Sequence, residues 1–228
     1  MRFGGREQAT AISAAVLLLA AAPASAQLSS SLSVDSDYRY RGLSLSDVRP
    51  AVRLNLAYDP SGGAYGGLSL IGTRDGTYGD IGLSSVVYAG YVWQTRNGPA
   101  WEAGISHTHI RDGVNYDYDE VYGGVITQAF TARAYYSPHY YGGRTRTLYD
   151  EVNTGKRLSA NWRAFLHAGM LTPLNGVYRR ERYDLRAGLA VSLSHYEIQA
   201  AWSKSNPAYF ARRPDDGDAL VLSASCFF

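Results

Sequence analysis

The chain has 228 residues, 22 basic against 20 acidic side chains and a formal charge of +2, a balance that gives no reason to expect nucleic acid as a partner. Its single cysteine, Cys226, excludes an intramolecular disulfide. The 19 tyrosines and 24 glycines suit strands, membrane interfaces and crowded turns.

Residues 1–26 read as a secretory signal peptide. Arg2 and Arg6 make a basic start, residues 11–22 are apolar apart from Ser13, and Ala24-Ser25-Ala26 supplies a cleavage site. The expected mature chain, 27–228, is one domain. None of it approaches the 18 or so consecutive apolar residues of a spanning helix, so any crossing must use strands.

Twelve segments follow, at 28–40, 48–58, 64–73, 79–91, 100–109, 116–126, 129–137, 146–156, 161–169, 182–192, 195–203 and 218–228. Most match the tilted transmembrane strand of about 9–11 residues. Their connections alternate short and long, with the long ones at 41–47, 74–78, 110–115, 138–145, 170–181 and 204–217. This pattern predicts an all-β fold: a transmembrane antiparallel up-and-down β-barrel of about twelve strands, closed because a free edge in hydrocarbon leaves backbone groups unsatisfied. The long connections after Met170 and Ser203 are candidates to fold inward and narrow the mouth.

Alternation assigns the faces. Val52, Leu54, Leu56 and Tyr58 are expected to face lipid in the second segment, Phe130, Ala132, Ala134 and Tyr136 in the seventh, and Trp162, Ala164, Leu166 and Ala168 in the ninth. Tyr183 through Val191 and Tyr196 through Trp202 repeat the pattern. The fourth segment is apolar on both faces, which predicts a bulge. The eighth places Asp150 outward, so the acid sits near a membrane edge or the phase is shifted. In the twelfth, Leu220, Leu222, Ala224 and Cys226 face out, and the terminal Phe228 resembles the signal read by the barrel-assembly machinery.

The complementary face is polar. Its lumen-lining candidates are Arg53, Asn55, Glu102, Arg133, Glu151, Asn153, Arg163, His167, Asp184, Arg186, Glu197 and Gln199. An arginine facing acyl chains costs roughly 2–4 kcal/mol at midplane, which sends this set inward. Two arrangements fit it: acids and bases paired into a closed polar core, or a water-filled channel whose charges set a filter field.

Enzyme motifs are weak, and no enzyme is expected. There is no G-x-S-x-G elbow, and Ser106 and His107 fall on opposite faces of one strand. His107 and His109 are too few to specify a metal, and nothing calls for a cofactor. His139-Tyr140-Tyr141 reads as aromatic surface. Arg179-Arg180-Glu181-Arg182 is placed to clamp lipid phosphates at a rim.

The stretch S36-D-Y-R-Y-R-G-L-S through P50-A51 and on to Asp59 resembles the opening of the TorF-like porin family, proteobacterial proteins of unassigned function. Ser36, Asp37, Tyr38, Arg41, Gly42 and Ser44 match its first block, and Pro50 and Ala51 its second. Arg53 stands where that family more often has glutamine. The resemblance implies a bacterial outer-membrane barrel with a channel role and no catalytic residues. Within this block Gly42 allows a sharp turn, and Asp37 and Arg41 are expected to anchor the first outer loop to the rim. Three functions fit: passive diffusion of small hydrophilic solutes, a closed barrel that is structural or adhesive through its loops, or a lipid or peptide hydrolase. The expected partners are outer-membrane lipid and lipopolysaccharide, the assembly machinery and small hydrophilic solutes.

Overall fold

The computed structural model describes residues 28–74, 81–96, 98–112, 114–175, 180–206 and 217–228; the predicted leader and Gln27 lie outside them. Twelve strands form one closed barrel: β1 (Leu28–Asp35), β2 (Ala51–Tyr58), β3 (Ala64–Arg74), β4 (Ile81–Gln94), β5 (Ala100–His109), β6 (Tyr118–Ile126), β7 (Phe130–Ser137), β8 (Thr147–Arg157), β9 (Trp162–Pro173), β10 (Arg182–Leu193), β11 (Tyr196–Ser205) and β12 (Asp218–Phe227). Each pairs antiparallel with its neighbours in the chain, and β1 closes on β12 from Ser31↔Phe227 to Asp35↔Ser223. Short turns gather at one end and long loops at the other, as the alternating connections predict.

The outer wall is apolar because one residue in two along each strand is apolar. Val52, Val87, Ile105, Val121, Val152, Leu166, Leu189, Ile198, Leu220 and Leu222 are all exposed on it. Trp93, Trp101, Phe130, Trp162 and Tyr196 mark its turn end, and Tyr183 and Trp202 its loop end. Indole and phenol rings at both limits of a greasy band are what a membrane interface selects.

Three local expectations change. The first strand stops at Asp35, and Arg39–Tyr40 instead pairs with Leu43–Ser44 as a separate ribbon. β4 has no bulge: its pairings with β3 and β5 run one-to-one along their whole length. Its second set of apolar residues, Val86 and Val92, simply faces the lumen, where Ser84 of the same face is buried. β9 continues to Pro173, which shortens the loop expected after Met170. Asp150 does face outward, paired with Ala134 and Met170 in the half of β8 nearer the loop end.

Candidate functional site in the lumen

The first loop enters the barrel mouth. Its ribbon, Arg39–Tyr40 with Leu43–Ser44, is joined by Arg41 and Gly42 at φ 50° and 76°. Two consecutive residues in the left-handed region form the tight turn whose twist suits a hairpin. Gly42 also wedges against the wall. A Cβ there would lie 2.6 Å from the Cβ atoms of both Asp184 on β10 and Ser205 on β11. Ser205 Oγ donates to the Gly42 carbonyl at 2.9 Å, and Arg182 Nη2 donates to the Arg41 carbonyl at 2.7 Å. Asp37 braces the loop internally rather than tying it to the rim: it accepts from Arg39 Nε, Ser44 Oγ and Ser46 Oγ.

From this tip the Arg41 side chain crosses to β6. Its two terminal nitrogens donate to the two Glu120 oxygens at 2.8 and 2.7 Å, a bidentate pair with both side chains buried. The guanidinium lies 4.1 Å from the Tyr149 ring centre, with Tyr40 and Tyr135 also in reach. Burial opposes its charge, but Tyr40, Tyr118 and Glu120 hold Arg41 protonated well above its ordinary range. Around the clasp, Ile110, Tyr118, Tyr140, Tyr149 and Leu171 form a buried cluster, against which Tyr40, Leu45, Tyr116 and Tyr141 pack. Of the run at 139–141, Tyr140 and Tyr141 are therefore part of the packed mouth, while His139 stays on the surface.

Below the loop the lumen divides into two halves. Along β3 to β6, with Arg133 reaching in from β7, it is filled. Tyr65 donates to Glu102 Oε2 at 2.8 Å and bonds Tyr122 at 2.8 Å; Arg133 Nε donates to Glu102 Oε1 at 2.6 Å. Lumen-facing glycines make room for these rings, since a Cβ on Gly104 would lie 2.4 Å from the Tyr122 hydroxyl and 2.5 Å from the Ala89 carbonyl oxygen. Glu102 and Arg133 thus belong to packing. Asn55, bonded to Ser31 and Ser69, is likewise occupied with its neighbours.

The other half is open. A cavity of about 620 Å³ runs from the hairpin at Asp37–Gly42 to the turn at Thr127–Phe130. Arg53, Glu151, Asn153, Arg163, His167, Asp184, Arg186 and Gln199 line it. On one side, His167 bonds Asn153 and Asp184, both at 2.7 Å, and Tyr149 donates to Asp184 at 3.1 Å. Arg163 pairs with Glu197 at 3.2 Å toward the turn end. On the opposite wall, Ser203 of β11 and Val221 of β12 border the cavity, short side chains that leave it open there.

Other expected sites fall outside this chamber. His107 and His109 lie on the outer face, bonded to Asp119 and Asp117. Ser106 points the opposite way, so no dyad forms. Arg182 turns inward to Arg41 instead of clamping at the rim. Arg179 and residues 176–178 and 207–216 of the two loops expected to fold inward lie outside the described residues. Phe228 sits in the closing seam, its amide donating to the Ser30 carbonyl at 3.0 Å. Sequence reasoning missed Glu120 and Tyr149. Both stand on the inward phase of their strands, which was the available signal; their partner is 79 residues away for Glu120.

The barrel is similar to several solved structures. A membrane protein from a study of in-meso crystallization matches at TM-score 0.57 and 8% identity, over 89% of this chain and 83% of that one. The KdgM porin matches at TM-score 0.53 and 10% identity, over 89% and 99%. The outer-membrane protein Omp33 of Acinetobacter baumannii matches at TM-score 0.53 and 10% identity, over 89% and 98%. At such identities the likeness shows the fold alone. No curated protein matches in sequence. One family profile, described as "Bacterial protein of unknown function (Gcw_chp)", covers residues 20–214, so the chain belongs to that family.

Proposed function

We propose that this protein is a bacterial outer-membrane channel for small hydrophilic solutes, constricted at its loop end by the inserted first loop. The observation that carries this reading is the 620 Å³ chamber of charged and polar side chains running from the Arg41 hairpin to the opposite end of the barrel. A barrel built only for packing has no need of an open, charge-lined half beside a filled one. The resemblance of residues 36–59 to TorF-like porins and the fold shared with the KdgM porin support it. On this reading residues 1–26 are removed on export, Phe228 engages the assembly machinery, and the outer wall contacts lipid and lipopolysaccharide. Liposome swelling tests it: vesicles bearing the refolded protein should admit small neutral sugars faster than protein-free vesicles, and equal rates would overturn the proposal.

A closed barrel with a structural or adhesive role is the second reading, favoured by the buried Arg41–Glu120 clasp and the aromatic cluster around it. It predicts no swelling even when the first loop is displaced. The hydrolase reading gains no support, since the ring nitrogens of His167 are taken by Asn153 and Asp184 rather than by a nucleophile.

A further inference from the structure

The arginines of the mouth and lumen are not equally neutralised. Arg41, Arg133 and Arg163 each face a carboxylate at 3.2 Å or less. Arg53 meets only Asp35, at 3.3 Å, and its Nε is buried without a hydrogen-bond acceptor. Arg186 has no carboxylate within ion-pair distance among the described residues, and its Nε too is buried without an acceptor. Its guanidinium carbon lies 5.6 Å from the Phe165 ring centre, a contact that satisfies no N–H donor. Asp35 and Arg53 are its electrostatic neighbours. Both guanidiniums line the chamber together with Asp35, Ser203 and Val221, and the acid pairs with Arg53 alone, so Arg186 is left without a carboxylate partner among the described residues.

A half-buried guanidinium whose Nε is shut off from water and left without an acceptor is costly, and its planar fork of donors matches a carboxylate in two parallel hydrogen bonds. We infer that Arg186 and Arg53 form a binding site for the carboxylate group of a small organic anion inside the lumen. The bound anion balances the second positive charge, and the chamber volume accommodates a few-carbon acid. The site's role in transport rests on the channel reading; its capacity to bind does not.

Equilibrium dialysis of radiolabelled succinate against the refolded protein in detergent tests the site without requiring conduction. Wild type should bind succinate saturably. Arg186→Gln and Arg53→Gln should each weaken binding by about tenfold or more, the effect of losing one charge-assisted pair. Arg186→Lys, which keeps the charge and loses the fork, should also bind more weakly than wild type. Lys156→Gln, on the outer face near the turn end, should change nothing. A change in gel mobility between unheated and heated samples confirms that each variant is folded. Absence of saturable binding to folded wild type, unchanged binding in Arg186→Gln, or displacement of succinate by an equal concentration of inorganic phosphate would each overturn the assignment. Binding by a protein that produces no swelling would leave the site standing and remove the channel; swelling without binding would do the reverse.

Discussion

Among single residues, Arg41 does most to hold the first loop inside the mouth. Its partner Glu120 is 2% exposed, so removing either member leaves a charge buried alone. Breaking such a pair costs about 3–5 kcal/mol, and the loop can escape that cost by swinging out while the strand ladder stays intact. Glu120→Ala should therefore speed tryptic cleavage within residues 39–49 by roughly a hundredfold, read by mass spectrometry of the fragments. An unchanged cleavage rate would show that the clasp does not hold the loop. The tyrosines of the same loops give a second test. Burial raises Tyr38, Tyr40 and Tyr141 above the ordinary phenol value. A phenol that ionises more readily in the unfolded chain stabilises the fold below its unfolded pKa of about 10 and loses that contribution as pH rises further. The urea midpoint should accordingly be flat from neutral pH to about 9 and fall above about 10. A midpoint that rose in that range would contradict burial of these rings.

At the scale of elements, strands were legible and the loop plug was not. Lipid on one side and polar side chains on the other impose a two-residue period, so β2, β7, β9, β10 and β11 could be read with their faces directly from sequence. Asp150 could be read the same way, as an outward acid. β4 was misleading because Val86 and Val92 face a filled stretch of lumen where apolar contact is tolerated, so two apolar faces did not require a bulge. The Arg39–Tyr40 and Leu43–Ser44 ribbon has no period to detect. Only the Arg41-Gly42 pair hinted at a turn, and nothing local says that the turn points inward to β6, β10 and β11. The split between filled and open halves depends on which rings meet which glycines across strands. Gly104→Val tests that packing: it drives a side chain into Tyr122 and the Ala89 carbonyl. The variant should lose the heat-sensitive folded band on unheated gels, whereas Gly62→Val, at a position with nothing within 4 Å of the added Cβ, should keep it. Equal recovery of both would count against the filled half.

At the scale of the whole molecule, a closed antiparallel barrel of twelve strands satisfies every strand edge and presents a greasy wall with aromatic limits. What remains inside is a lumen half occupied by its own side chains and stoppered at one end by its own first loop. That arrangement predicts small ionic currents that grow when the stopper is disturbed. Gly42→Ala is the sharpest disturbance, since a Cβ at φ 76° is strained and would collide with Asp184 and Ser205. Single-channel recording in planar bilayers, wild type beside Gly42→Ala, measures the consequence directly. Discrete steps in the wild type and larger ones in the variant are the predicted result; a silent membrane for both proteins, each shown to be folded and inserted, would contradict a path through this barrel.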